Sequence, residues 1–450
     1  MDYNNNDIII ARATPIGKSA LAVIRVSGNN LTKIITTFFS NKNMLTPNVI
    51  QLKKIISVRT NQILDSCMVA YYKNPKSFTG EDMLEIFCHG NDLIVENIIS
   101  ELITCDVRIA YPGEFSYRAF KNGKIDLLQA ESIAAKINQN SNQYGVALQN
   151  LEKGVTSQKI NELRQKILNL YSIIEHELDF NESEVSHVQN ETIITTLQKI
   201  ILEVKQLIGW SLKLQKIEKG YKVMFLGIPN AGKSTLFNRL LGKERAIVTD
   251  IQGTTRDILE SSLYIKGTPF VFYDTAGFRQ SVDTIEVLGI DKTKQLAQNA
   301  DIIVMLDEKN PVSQYNALTK EGCLLKNKEI IFVKTKCDHK INNHKEFIEI
   351  SCLKDVGINR LLTELLTRVE KNIEKNDITN IALCNMRQIN LLQQINVIFE
   401  SVLNDLAQGL EMDIIASQLR GAVDVFEELL GKMTSNEILN NIFKGFCVGK

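Results

Sequence analysis

The chain has 450 residues, too many for one hydrophobic core, so several domains of about 100 to 200 residues each are expected. Its 44% hydrophobic and 23% charged residues exclude wholesale disorder. Its 52 basic and 52 acidic residues cancel, which excludes a global attraction to nucleic acid or an anionic membrane, so any RNA partner must be held locally.

Met1 to Asn6 carries neither a basic region nor an apolar core, and no stretch reaches the roughly 18 apolar residues of a membrane span. A cytoplasmic protein with no membrane association is expected. The eight cysteines are scattered with no C-x-x-C pair, which predicts reduced thiols, and the five histidines form no metal-ligand spacing.

From Ile8 to about Tyr117, runs of β-formers (Ile8–Ile10, Leu21–Val26, Cys67–Tyr72, Leu84–Phe87) alternate with Gly, Pro and Asn, which predicts a compact α+β domain over 1–117. Lys124 to Lys219 holds no proline and places Leu163, Ile167, Leu170, Ile174 and Leu178 at helical intervals, so 118–219 is predicted helical. At Tyr221 the rhythm changes to apolar strands and glycine-bearing loops, an α/β pattern over 220–372. Helical periodicity then returns over 373–450, with Leu403, Leu406, Leu410, Ile414, Leu419, Val423, Phe426 and Leu430 on one recurring apolar face. Such a face needs a partner, and the earlier helical block supplies it. The predicted class is therefore mixed α/β and α+β multidomain, with an α/β module inserted into a discontinuous helical domain.

The α/β segment carries the chemistry. Strand Lys222–Leu226 runs into Gly227-Ile-Pro-Asn230-Ala231-Gly232-Lys233-Ser234 and then a helix from Thr235, which is G-x-x-x-x-G-K-[ST] in its required context. Its glycines let backbone N–H groups wrap phosphates, Lys233 neutralises the β and γ oxygens, and Ser234 offers a hydroxyl to Mg²⁺. Downstream, Asp250-Ile251-Gln252-Gly253-Thr254-Thr255-Arg256-Asp257, preceded by Thr249, forms a polar loop in which Thr255 reaches Mg²⁺ when a γ-phosphate is present. Strand Phe270–Tyr273 leads into Asp274-Thr275-Ala276-Gly277, whose carboxylate holds Mg²⁺ through water and whose glycine N–H faces the γ-phosphate.

Strand Ile330–Val333 ends in Thr335-Lys336-Cys337-Asp338. The Asp338 carboxylate accepts two hydrogen bonds from guanine N1–H and its 2-amino group, a pair of donors that adenine lacks. Strand Phe347–Ile350 then delivers Ser351-Cys352-Leu353, where a backbone N–H reaches the guanine carbonyl. Five elements in this order predict GTP binding. Thr335 stands where N-K-x-D has asparagine, and its shorter side chain is expected to grip the phosphate loop less firmly.

Many regulatory GTPases place a water-orienting glutamine directly after D-x-x-G, and here that residue is Phe278. Arg279, Asp283 and Glu286 lie just downstream, and spacing alone does not choose between the two acids. Asn230 is placed either to offer its carbonyl to a monovalent cation or to stabilise the loop as a turn residue.

Together with Ala13-Thr-Pro15, Ser77-Phe-Thr-Gly-Glu-Asp82, His89-Gly90, Pro112-Gly-Glu-Phe115, Asp250 to Asp257 and the closing Phe446-Cys447-Val448-Gly449-Lys450, these residues resemble the MnmE/TrmE family of tRNA-modification GTPases across essentially the whole chain. The resemblance implies an N-terminal domain that binds 5,10-methylene- or 5-formyl-tetrahydrofolate and dimerises, a helical domain, and a Ras-like GTPase domain activated by K⁺. It implies K⁺ at Asn230 and Thr254 with the carbonyls of Thr249 and Ile251, and Mg²⁺ at Ser234 and Thr255. It further implies Glu286 as the catalytic acid and folate contacts from Arg25, Glu85, Lys124 and Lys450.

It also implies a homodimer joined to an MnmG/GidA-type flavoprotein, which uses FAD and NADH, in a heterotetramer or larger complex. The pair would install a carboxymethylaminomethyl or aminomethyl group on C5 of the wobble uridine of certain tRNAs. Cys447 fits a thiol near the modified carbon and a structural thiol about equally well. Two other readings are a ribosome-assembly switch, which needs no folate-type domain, and an independent one-carbon transferase.

Overall fold

The computed structural model describes residues 7–39, 45–179, 190–243, 260–273, 297–320, 328–338, 346–370 and 381–449. By packing, the chain divides into two units. One comprises 1–138, 148–205 and 386–450, and the other 139–147 and 206–385.

The first unit contains a six-stranded sheet in the order β3-β4-β5-β2-β1-β6. Its strands are β1 (Ile8–Arg12), β2 (Ser19–Gly28), β3 (Ile50–Ile56), β4 (Ile63–Tyr72), β5 (Asp82–Gly90) and β6 (Val107–Ile109). All neighbours are antiparallel except β1 and β6. Alternation sends Ala22, Ile24 and Val26 to one face, where they form a core with α1 (Thr32–Phe38) and α2 (Asp92–Ile103). The Asn91 side chain caps α2 by accepting the Leu93 N–H. The sequence reading found four of these strands. It missed β3, whose apolar residues alternate with Gln51 and Lys53, and β6, which has only three residues.

The helices of this unit include α3 (Glu114–Lys121), α4 (Leu127–Ile137), α6 (Val155–Asp179), α11 (Met386–Ala407), α12 (Met412–Leu430) and α13 (Asn436–Lys444). Between α4 and α6 in sequence comes α5 (Asn142–Glu152), and α7 spans Asn190–Lys219. Helix α12 packs on both α11 and α6, so segments separated by the whole α/β module share one core, as the apolar faces predicted. One expectation needs correction. The expected face Leu403, Leu406, Leu410, Ile414 does not continue unbroken, because α11 ends at Ala407 and Gly409 adopts φ 74°. The break resets the helical phase, so Ile415 is buried while Ile414 is 41% exposed.

The second unit holds a sheet in the order β12-β11-β10-β7-β9-β8. It is built from β7 (Tyr221–Leu226), β8 (Glu260–Ile265), β9 (Thr268–Tyr273), β10 (Ile302–Asp307), β11 (Glu329–Lys334) and β12 (Ile348–Glu349). All pairs are parallel save β8 on β9. Helices α8 (Lys233–Lys243), α9 (Pro311–Lys320) and α10 (Ile358–Glu370) belong to this unit. All six residues of β10 are buried, as expected for a central strand of a parallel sheet. The insertion of an α/β module into a helical framework matches the predicted class.

Candidate nucleotide site and the cleft on the N-terminal sheet

β7 ends at Leu226 and α8 begins at Lys233, so Gly227 to Gly232 form the turn between strand and helix. Asn230 (φ 62°) and Gly232 (φ 86°) are left-handed, which curls the loop into a concave backbone. Gly227 has a different reason to lack a side chain: a Cβ there would lie 2.3 Å from the Leu306 carbonyl oxygen of β10. The Lys233 ammonium donates to the carbonyls of Gly227 (2.6 Å) and Ile228 (2.9 Å), lying back over the loop where phosphate oxygens would sit.

The Thr335 hydroxyl donates to the Ala231 carbonyl at 2.9 Å, and both residues are buried. The carbonyl and the following N–H of a trans peptide point in opposite directions, so this bond turns the Gly232 N–H away from Thr335. The threonine therefore reaches the phosphate loop despite its length.

Thr335 itself is fixed by its N–H on the Asp307 carbonyl (2.9 Å), and Cys337 by its N–H on the Ile350 carbonyl (3.1 Å). Lys336 takes φ 58° and pairs with Glu308. The Ser351 hydroxyl donates to Asp338 Oδ1 at 2.5 Å and accepts the Lys354 N–H at 3.1 Å, which aligns the carboxylate with the turn that bears Cys352 and Leu353. Burial raises the Cys352 thiol, so it stays protonated and inert at neutral pH. Leu353 is 82% exposed beside this carboxylate, an apolar surface a flat base can cover.

The fold thus brings together the phosphate loop, Thr335, Lys336, Asp338, Ser351, Cys352 and Leu353. Thr249 to Thr255, Asp274 to Gly277, Arg279, Asp283, Glu286 and Lys450 lie outside the described residues. Sequence reasoning missed β10 and its Asp307, whose Oδ1 accepts the N–H groups of Lys309 (2.6 Å) and Asn310 (2.7 Å). The signal was present in the unbroken apolar run Ile302–Leu306 between two aspartates.

In the first unit a cavity of about 320 Å³ is lined by Arg25, Tyr72, Phe78, Met83, Glu85, Ile133 and Glu152. Arg25 and Glu85 are cross-strand partners and form an ion pair at 2.8 Å. The Tyr72 hydroxyl lies 3.5 Å from the other Glu85 oxygen and is pushed above its ordinary value by burial and then by that carboxylate. Lys124 is not among these walls. Its ammonium donates to the Pro75 carbonyl at 3.0 Å, three residues before Phe78.

The C-terminal tail closes on the same region. The Arg25 guanidinium donates to the Gly449 carbonyl at 3.1 Å, and the Gly113 N–H reaches the Cys447 carbonyl at 3.4 Å. Gly449 takes φ 89° and passes so close to β1 that a Cβ would sit 2.8 Å from the Arg12 carbonyl oxygen. The Cys447 side chain is exposed. A guanidinium, a carboxylate and aromatic and thioether walls together suit a flat, polar heteroaromatic molecule.

Comparison with known proteins identifies the family. The family model described as GTP-binding protein TrmE N-terminus matches residues 8–124, and the MnmE helical domain matches residues 127–447. The tRNA modification GTPase MnmE of Aquifex aeolicus (strain VF5) is 35% identical over 451 residues, covering 98% of this chain and 99% of its own. The protein of that name from Fervidobacterium nodosum is 36% identical over 465 residues, covering 100% and 99%. The one from Clostridioides difficile (strain 630) is 33% identical over 461 residues, covering 99% of each. With both family models matched on one chain and full-length relatives at 33 to 36% identity, it belongs to the MnmE/TrmE family of tRNA modification GTPases.

Proposed function

We propose that this chain is a K⁺-activated GTP hydrolase that works with an MnmG/GidA-type flavoprotein to modify C5 of the wobble uridine of certain tRNAs. The observation that carries the nucleotide part is the Thr335–Ala231 bond, which joins the base-reading segment to the phosphate loop in one buried contact. Guanine would be read by Asp338, with Ser351, Cys352 and Leu353 at its carbonyl edge. Ser234 and Thr255 would hold Mg²⁺, and Asn230 and Thr254 with the carbonyls of Thr249 and Ile251 would hold K⁺. The two cations would offset charge on the phosphates as the bond to the γ-phosphate breaks. Glu286 would orient the attacking water and take its proton.

On the N-terminal sheet, Arg25 and Glu85 would bind a reduced folate, 5,10-methylene- or 5-formyl-tetrahydrofolate, with Lys124 and Lys450 toward its carboxylates. The Arg25–Glu85 pair and its aromatic walls support this reading. A homodimer is supported by the open face of that sheet. One cross-strand row is Leu52, Met68, Phe87 and Val23, with Leu52 67% and Met68 43% exposed, and the next row is Ile50, Ala70, Glu85 and Arg25. An apolar patch continuous with the cleft fits a second copy of the chain. The FAD and NADH would belong to the flavoprotein, and the location would be cytoplasmic. The working parts would be 1–117 for folate and dimerisation, 118–219 with 373–450 for the helical framework, and 220–372 for GTP.

Mass spectrometry of wobble-uridine nucleosides from a cell lacking the protein tests this reading. Restoring the chain is expected to restore a 5-substituted uridine. Nucleosides unchanged by its loss would instead point to a regulatory or ribosome-assembly GTPase.

A further inference from the structure

Residues 139–142 of the second unit are held from two sides. From one side Glu218, near the end of α7, accepts the Asn140 backbone N–H at 2.7 Å, just before α5 begins at Asn142. From the other, the Tyr264 hydroxyl of β8 donates to the Asn140 side-chain carbonyl at 3.0 Å, and the Asn142 N–H reaches the Gly267 carbonyl at 3.3 Å. Gly267 turns β8 into β9 with φ 80°, and a Cβ there would lie 2.4 Å from the Asn142 side-chain nitrogen. The start of α5 and the turn of the β8–β9 hairpin are therefore in direct contact.

Glu218 is unusual in this setting. Its Oε2 is buried and has no hydrogen-bond partner among the described residues. Burial of that oxygen disfavours the charged form, against the hydrogen bonds from Asn140 and Ser141 that favour it. The titratable groups that face it are Tyr144 of α5 and Tyr264 of β8, both pushed up by burial first and also by the Glu218 charge. The Tyr144 hydroxyl is engaged on the Cys384 carbonyl at 2.6 Å. Of the neighbouring lysines, Lys216 is paired with Asp301 at 2.7 Å, while Lys219 and Lys266 are exposed.

We propose that Glu218, Asn140 and Tyr264 form a proton-operated latch on the β8–β9 hairpin, closed while the Glu218 carboxyl is neutral and released when it ionises. Burial, outweighing three hydrogen bonds from Asn140 and Ser141, lifts Glu218 from its ordinary 4.5 to about 7. The closed form thus binds the proton more tightly than a form in which Glu218 meets water. Closure is fully supported below the ordinary value and is lost as pH rises through about 7. In sequence the hairpin lies between Thr254–Thr255 and Asp274–Gly277. On the GTPase reading, the latch then sets how firmly the strands between the two γ-phosphate-sensing stretches are held.

Hydrogen exchange of the full chain, followed by mass spectrometry about one unit below and one unit above neutrality and corrected for intrinsic rate, tests the latch. In the unaltered protein, peptides covering 139–147 and 260–268 are expected to exchange about tenfold faster at the higher pH, and more where burial is complete. Glu218→Gln keeps the acceptor oxygen but cannot ionise, and is expected to show the slow rate at both pH values. A pH-independent rate in the unaltered protein, or a pH response that survives Glu218→Gln, would overturn the proposal. Tyr264→Phe leaves Glu218 and the Asn142–Gly267 bond in place and is expected to reduce the pH response of 260–268 while that of 139–147 is kept. An undiminished response of the hairpin in that variant would overturn the role of the Asn140–Tyr264 bond. GTP turnover is measured separately, so failure of the nucleotide reading leaves its own distinct result.

Discussion

Thr335 shows how one atom's reach can decide a side chain's role. Valine at 335 keeps the shape and removes the donor, leaving the buried Ala231 carbonyl without the Thr335 bond. The cost of such a loss, about 1 to 3 kcal/mol, corresponds to roughly fivefold to 150-fold weaker binding of both GTP and GDP. Thr335→Ser is expected to restore binding, and preference for guanine over adenine is expected to survive in both variants because Asp338 is untouched. Titration with fluorescent nucleotide measures all three, and unchanged affinity in Thr335→Val would show that the bond does not shape the loop. At this scale the sequence was most informative where chemistry constrains the backbone. Glycines and Lys233 at fixed spacing announced a phosphate loop. The Thr335–Ala231 bond joins residues 104 positions apart, and nothing in local spacing foretells it.

Secondary-structure elements were legible in proportion to how simply they are buried. Four strands of the first sheet stood out as runs of β-formers, whereas in the edge strand β3 the polar Gln51 and Lys53 alternate with Ile50 and Leu52, which are exposed in the single chain, so no buried apolar run marks it. The periodicity of the last helices was read correctly in kind but carried through a break, since Gly409 resets the phase without interrupting the apolar count. The phosphate loop, in turn, depends on the approach of two parallel strands. β7 and β10 pair from Val223 opposite Ile302 to Leu226 opposite Met305, and Gly227 then passes the Leu306 carbonyl. Gly227→Ala is expected to push these strands apart, lowering the unfolding free energy by about 1 to 3 kcal/mol and abolishing nucleotide binding while the first unit keeps its structure. Circular dichroism during denaturant titration, beside nucleotide titration, reads both effects. An alanine variant that binds GTP normally would show that the loop tolerates the shift.

For the whole molecule, the helical segments on either side of the α/β module meet in α6 and α12, where Arg164 pairs with Glu427. The sequence made this arrangement legible through two incomplete apolar faces that needed each other. The proposed homodimer was expected only from the resemblance, because an exposed Leu52 or Met68 reads like any strand residue until the register places them in one row. If the proposed homodimer uses this face, Leu52→Glu is expected to make the protein monomeric with little loss of stability, since the residue is largely exposed in the single chain. Sedimentation velocity at micromolar concentration reports the change, and a dimer that persists would move the interface off this face.

The bond from Arg25 to the Gly449 carbonyl joins residues 424 positions apart. At the usual pace of translation, about 5 to 20 residues per second, Arg25 leaves the ribosome's catalytic centre roughly 20 to 85 s before Gly449 is made. The first sheet has all its strands early in synthesis, but the Arg25 guanidinium of its cleft acquires this partner only when the tail arrives. A premature stop late in the message therefore damages a site encoded near its beginning.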